Sequence, residues 1–525
     1  MTIHSAKSTW FFALFNLALL ALLSAWLWQQ NQALAIIKPQ LPSDGKLQCV
    51  SYSPYYHQGQ SPLNSSTRIN PAQIDQDLTI LAKQFNCVRI YSVSQGLDYV
   101  PVVAAKLGMK VYLGAWIGWV RSLNDSELEL AIAIANKYPK TIKALIVGNE
   151  VLLRGEQTEA AMKAYLEKAK LATQVPVTYA DVWEFWRKHP TLENSVDFVT
   201  VHILPYWEDN PQSIENALDH TSNVMSLVTA SFKKPILIGE TGWPSVGRQR
   251  QESQPSVINQ AVYIRGFLQL AHDRNWSYNL IEAFDQPWKR VLEGTVGGYW
   301  GIYQTDFSPK FSFNGDIKAR TDGLRPFIVA SISALLFLGL SFFLGERRKA
   351  GLIGLASLGA LLGITILLQT EYLFSACQNS REWLALGGVA AIGGIAVISL
   401  IWTVSSTGLN NTRLLLACST LLLLAAITSS TLLIIDGRYR DFAVSLYALP
   451  AIQLSLGLYL LRQRIRPKIK IYYVLHALLI VSAVYCLYLE PKNLLAVLWL
   501  AINIMLATSA WPRSFSASLN FFRKY

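Results

Sequence analysis

The chain has 525 residues, too long for one small domain, and its 52% hydrophobic content averages mixed, punctuated sequence over about 30–325 with long apolar runs outside it. Residues 30–325 hold 29 Lys+Arg against 28 Asp+Glu and the remainder holds 17 against 6, so the basic excess sits on the apolar flanks and leaves no basic soluble face for nucleic acid. Five cysteines make no disulfide framework at this length, and neither metal-ligand spacing nor a glycine-rich phosphate loop is present, so no metal or cofactor is expected.

Residues 1–30 carry the apolar run Trp10–Trp28, long enough to span a bilayer. Ala-Leu-Ala at 33–35 offers a cleavage site, but the run is long for a signal peptide, and an uncleaved anchor is expected. From 31 to 325, short β-rich runs alternate with helix-length segments, the pattern of βα units on a parallel sheet. Eight strands are predicted, at 47–53, 86–91, 109–115, 142–149, 175–181, 196–202, 235–240 and 280–285. Several are near-continuous apolar runs, as expected of strands buried on both faces. Cys49 and Cys87 fall at similar points of the first two; they could pair in an oxidising compartment, but two buried thiols are expected. Asn70-Pro71 opens a helix with a cap and a first-turn proline, Leu107-Gly108 closes the next, and Asn210-Pro211 is expected to open the sixth. Eight units over about 275 residues predict a (β/α)8 TIM barrel, an α/β fold whose chemistry collects at the C-terminal ends of its strands.

Residues 326–525 contain seven more apolar runs, at about 326–345, 350–369, 383–402, 414–435, 442–461, 471–489 and 494–511, and predict an all-α transmembrane helical bundle. With the N-terminus inside, the inner loops carry Lys7, Arg347, Arg348, Lys349, Arg413, Arg462, Arg464, Arg466, Lys468, Lys470, Arg513, Arg523 and Lys524. The short outer loops carry only Arg381, Arg438, Arg440 and Lys492. That bias predicts a multi-pass protein of the inner membrane with both termini cytoplasmic and the barrel on the periplasmic side. Glu371, Glu382, Asp436, Asp441 and Glu490 fall at helix ends, which suits an anchor or assembly platform better than a pump. Gly359 and Gly363, and the group Gly387, Gly388, Gly393 and Gly394, read as close helix contacts.

At the strand ends, the fourth strand closes on Gly148-Asn149-Glu150 and the seventh on Gly239-Glu240-Thr241. A glycosidase needs two carboxyls flanking the scissile bond, about 5–5.5 Å apart when the anomeric configuration is retained. Glu240's charge is expected to raise the pKa of Glu150 so that it holds a proton, with Lys289 among the groups keeping Glu240 ionised. Sugars bind to flat apolar plates and hydrogen-bonding groups. The candidate substrate-binding residues are Tyr52, Arg89, Tyr91, Asn149, Asp181, His202, Tyr206, Trp243, Glu282, Asp285, Trp288, Lys289 and Glu293. Trp116 and Trp119 also follow the third strand, and any single tryptophan here suits packing as well as it suits a sugar.

The stretches VSYSPYY at 50–56, VRIYS at 88–92, VGNEV at 147–151, IGETGWPS at 238–245, EAFDQPWK at 282–289 and GYWGIY at 298–303 together resemble glycoside hydrolase family 17, a β-1,3-glucanase and glucanosyltransferase family. The resemblance implies Glu150 as acid/base, Glu240 as nucleophile, Asn149 on the sugar 2-hydroxyl, and Lys289 and Glu293 as charged partners after the eighth strand. Gln286 departs from plant members, which carry an acid there, and is expected to alter acceptor binding. The layout is similar to bacterial members with a multi-span tail. It implies a β-glucan substrate, a lipid bilayer and a membrane glucan synthase as partners, with hydrolysis and transglycosylation both open. The alternative is a non-catalytic glucan-binding, assembly or export subunit.

Overall fold

The computed structural model describes residues 6–405, 411–436, 441–463, 465, 467 and 471–509. It divides into two compact units, residues 34–247 with 252–317, and residues 1–33 with 248–251 and 318–525.

The first unit is the expected barrel. Its strands are β1 Leu47–Ser51, β2 Phe85–Arg89, β3 Lys110–Ala115, β4 Ile142–Asn149, β5 Val177–Val182, β6 Val199–His202, β7 Ile236–Thr241 and β8 Ser277–Leu280. They close in sequence order, all parallel. Side chains alternate along each strand. Cys49, Cys87, Tyr112, Ala144, Ile146, Ala180 and Leu237 form one buried cluster, while Leu145 and Val147 belong to the other, with Leu78 and Leu81. Both faces are dry, which is why β4 reads as an unbroken apolar run. Asn70 caps its helix by accepting from Ala72 N, and Gly108 takes φ 70° just past the next helix.

Three expectations change. The sixth long helix starts at Ile214 with Ser213 before it, not at Pro211, which stays in the loop. β8 ends at Leu280, and beyond it Ala283 N still reaches Ser51 O of β1 (2.9 Å) while residues 282–285 pair with 300–303 through Ile302 N to Glu282 O (2.8 Å) and Tyr303 N to Ala283 O (2.9 Å). Ile281, Ala283 and Phe284 are buried in that extra ladder, so their apolar run imitates a longer strand. Cys49 and Cys87 stand opposite each other on β1 and β2, Cα atoms 4.4 Å apart, and form a disulfide instead of two thiols.

In the second unit, six helices are long and apolar enough to cross a membrane: Lys7–Gln30, Arg325–Phe343, Lys349–Ala376, Ser380–Val404, Thr412–Ile435 and Ile471–Leu489. Val444–Leu460 and Leu494–Ser509 are shorter apolar helices, so each of the eight apolar runs becomes helical. The N-terminal helix, expected as a separate anchor, packs within this unit. Phe12 is buried where a Cβ on Gly354 would lie 3.0 Å from its ring, and Asn16 accepts from Gln453 Nε2 at 2.7 Å. Pro450 sits inside its helix and cannot bond Leu446 O. Gln369 Nε2 supplies a donor there at 3.4 Å and to Ser445 O at 3.2 Å. Gly359 and Gly363 are close contacts as expected, since a Cβ on either would meet the Arg325–Phe343 helix at 2.7–2.8 Å. Of the second glycine group only Gly393 is close, with Pro450 at 3.0 Å, while Gly387, Gly388 and Gly394 face open space. Arg438, Arg440, Arg464, Arg466, Lys468, Lys470, Arg513, Arg523 and Lys524 lie outside the described residues.

Candidate active site

Each glutamate follows a glycine that the geometry requires. Gly148 adopts φ 82°, and a Cβ there would meet Val151 Cγ2 at 2.8 Å. Glu150 itself sits in the left-handed region at φ 53°, a conformation that concentrates at functional sites. A Cβ on Gly239 would lie 2.5 Å from Thr200 Cγ2 and 3.3 Å from Arg89 Nη1. Glycine therefore opens the space through which the Arg89 guanidinium reaches the end of β7.

That guanidinium is the hub of the site. Arg89 is 1% exposed. Its Nη1 donates to Gly239 O (2.7 Å) and Glu240 Oε1 (3.2 Å), and its Nη2 to Asn149 Oδ1 (2.5 Å). Tyr91 OH donates to the same Glu240 oxygen at 2.8 Å. Behind it runs a relay, with Asn279 Nδ2 donating to Ser51 Oγ and Ser51 Oγ meeting Tyr91 OH, each at 2.8 Å. His202 lies between the two glutamates, Nδ1 2.9 Å from Glu150 Oε1 and Nε2 3.6 Å from Glu240 Oε1. Arg89 Nη1, which can only donate, is 3.3 Å from Nε2. Nε2 therefore accepts, and the ring proton sits on Nδ1 and points at Glu150. One atom from each of Glu150, His202 and Glu240 lies within 4.8 Å of the others. Such a group has the donors for a cation, and the positive charge facing it is Arg89.

The electrostatics reverse one expectation. Burial pushes the Glu150 carboxyl up. The hydrogen bond from His202, with the charges of Arg154 and Arg89, outweighs it, and the pKa ends below the usual carboxylate range. Arg154 lies 3.8 Å from Glu150 Oε2. Glu240 is held by Arg89 and Tyr91. Lys289, expected beside it, instead spends Nζ on both oxygens of buried Glu282, at 2.9 Å each. Burial then raises Glu282 to about 7 despite that lysine.

Arg89, Tyr91, Asn149 and His202 thus converge on the glutamates, while several other candidates lie behind the site. Tyr52 is fully buried and donates to Asp77 at 2.7 Å. Trp243 is fully buried with Nε1 on Gln254 O. Tyr206 is buried edge-on to Trp207, Trp243 and Trp300. Asp181 is buried, accepts from Tyr179 OH and from Val182 N, and is raised to about 6 by burial. Asp285 is buried against Lys310 Nζ at 2.6 Å. These five are packing and scaffold groups, as is the Glu282–Lys289 pair. Trp288 is half-buried with Nε1 on Gln286 Oε1 at 2.8 Å, and Glu293 is half-buried, its charge acting on Glu282 and Lys289. Gln286 is fully buried and donates to Ser53 O and Phe284 O, so it ties loops together instead of meeting an acceptor. The sequence reading missed Ser51, Asn279 and Arg154. The only signal for Arg154 is its place four residues after Glu150, one helical turn along.

A parallel eight-stranded barrel with paired glutamates at the ends of β4 and β7 defines a glycoside hydrolase. Residues 49–301 match the model of the BtgE/BtgC glycoside hydrolase domain. Among curated proteins the chain is similar to a glucan 1,3-beta-glucosidase of Candida albicans, 29% identical over 270 residues, which are 45% of this chain and 85% of the relative. It is also similar to a probable family 17 glucosidase of Saccharomyces cerevisiae, 27% identical over 264 residues, 49% of this chain and 64% of that one. Among solved structures it is similar to the glycoside hydrolase family 17 beta-1,3-glucanosyltransferase of Rhizomucor miehei, with TM-score 0.45 and 27% identity over 51% of this chain and 97% of that one.

Proposed function

We propose that the chain is a membrane-anchored enzyme that cleaves or transfers β-1,3-linked glucan with retention, Glu150 serving as acid/base and Glu240 as nucleophile. The carrying observation is the carboxylate pair, oxygens within 4.8 Å at the ends of β4 and β7. That spacing suits direct attack on the sugar and leaves no room for an intervening water. The names of the relatives supply the β-1,3-glucan class.

In the free site, Glu150 is ionised. A glucan lying over it removes water from the carboxyl and strengthens burial, the largest influence on its pKa and a raising one. Glu150 is then protonated in the bound state and gives that proton to the leaving oxygen as Glu240 attacks the anomeric carbon. In the second step it takes a proton from water or from a sugar hydroxyl, which decides between hydrolysis and transfer. Arg89 fixes the Asn149 amide with Oδ1 toward itself, which leaves Nδ2 for a hydroxyl of the bound sugar. Membrane attachment rests on the six long apolar helices. A periplasmic barrel rests on the Arg/Lys bias and on the disulfide, which persists in oxidising compartments.

The test uses the full chain in detergent with defined β-1,3-gluco-oligosaccharides. Wild type is expected to give products whose new anomeric centre is β, and Glu150→Gln and Glu240→Gln each to lose roughly 10³-fold or more in kcat/KM. Wild-type rates no higher than those of both variants would leave a glucan-holding subunit as the reading.

A further inference from the structure

The loop after β3 exposes side chains that packing does not explain. Trp116 is 41% exposed and Trp119 69%, with Val120 and Leu123 exposed beside them. A contiguous apolar patch of this kind marks a binding surface more often than chance. The loop is also built to hold still. Asn124, itself buried, accepts from Gly118 N and donates to Gly118 O, both at 2.8 Å. Gln157, arriving from beyond β4, donates to the same carbonyl at 2.6 Å. Trp116 N reaches the buried carboxylate of Glu127 at 3.4 Å, and that carboxylate also accepts from Ser92 Oγ and Val93 N after β2. The backbone that carries the indoles is therefore ordered before any ligand arrives, which removes part of the entropic cost of binding.

The patch is continuous with the glutamates. The Arg154 guanidinium lies over Trp116 at 4.6 Å from the ring centre and 3.8 Å from Glu150 Oε2. Glu150 presents Oε1 toward His202, whose other nitrogen faces Glu240, and Oε2 toward the Arg154 that stacks on Trp116. The acid/base protonates the oxygen of the departing chain. What lies past Glu150, away from Glu240, therefore meets the leaving or accepting sugars.

We infer that Trp116 and Trp119 form a fixed aromatic shelf that binds the leaving or accepting end of a β-glucan chain beyond the sugar that Glu150 protonates. This rests on the function proposed above. The apolar C–H faces of the sugars lie on the indoles, and Arg154, already stacked on Trp116, offers donors to hydroxyls between shelf and bond. A chain held there remains beside the glycosyl-enzyme and competes with water for it.

The experiment measures binding of laminarihexaose and laminaribiose by calorimetry to the full chain carrying Glu240→Gln, with and without Trp116→Ala and Trp119→Ala. The double substitution is expected to weaken hexaose binding about tenfold or more and to leave biose binding within twofold. Trp119→Phe keeps a flat ring and is expected to retain most of the hexaose affinity. In the active chain, the ratio of transfer to hydrolysis is expected to fall with the double substitution. Hexaose affinity unchanged within twofold overturns the shelf, as does a loss in Trp119→Phe equal to that in Trp119→Ala, which would mark a structural role. An active wild type with unaltered hexaose binding removes the shelf alone. Tryptophan-dependent hexaose binding without wild-type turnover removes the catalytic reading and leaves the shelf standing.

Discussion

Arg89 joins everything that matters in the site. It grips Glu240, Asn149 and the carbonyl of Gly239, and by donating to His202 it fixes which ring nitrogen faces Glu150. Arg154 acts on Glu150 by charge alone, from 3.8 Å. Its positive charge is one of the influences holding that carboxyl below the usual range, so removing it raises the pKa. Glu150 must be protonated in the complex to act as the acid, and the basic limb of the kcat profile reports its loss of that proton there. Arg154→Leu is therefore expected to move that limb to higher pH, measured against wild type over the same buffers. A shift to lower pH, or none, would show that Arg154 does not act on Glu150. At this scale the sequence is informative about place and silent about direction. Tyr52, Asp181 and Trp243 stand at strand ends as the pattern requires, yet all three are fully buried. Only packing distinguishes them from Tyr91 and Asn149, because neighbouring positions differ in whether they face the groove or the layer behind it.

Strands and turns, by contrast, are largely legible. A strand buried on both faces must be apolar, so seven of the eight strands stand close to where hydropathy puts them. The eighth misleads because residues 281–285 are buried by a second ladder with 300–303 that the βα pattern does not encode. The glycine before each glutamate is visible as a motif, but its reason is spatial. Gly239→Ala sets a Cβ against Thr200 Cγ2 at 2.5 Å and crowds the Arg89 guanidinium. Overpacking of this kind costs roughly 1–3 kcal/mol. The substitution is expected to lower the melting temperature and to abolish most activity. Adding Thr200→Ser removes the methyl that clashes and is expected to restore stability without restoring kcat, since Arg89 is still displaced. Full recovery of both would show that the glycine serves packing alone.

For the whole molecule, the disulfide is the feature that composition argues against and structure supplies. Five cysteines in 525 residues suggest no framework, but strand pairing sets two of them opposite each other across 38 residues. Closing a loop of that length stabilises the fold by about 3–4 kcal/mol in the chain-entropy account. Reductant is expected to lower the melting temperature of the barrel by on the order of 10 °C. The double variant Cys49→Ala with Cys87→Ala is expected to melt at the reduced temperature and to ignore reductant. A wild type indifferent to reductant would mean that the bond is absent in the protein as made.

The hydrogen bond from Gln453 to Asn16 joins residues 437 positions apart. At ribosomal speeds of 5–20 residues per second, the first helix emerges roughly 20–90 s before the residue that donates to its Asn16 oxygen. Throughout that interval the amide nitrogen of Asn16 is held by Phe12 O of its own helix, while its oxygen lacks that donor in an apolar segment and the intervening barrel is synthesised and free to fold. The helix that carries Asn16 is thus made long before its setting is complete, and truncation anywhere between it and residue 453 would strand it without its partner.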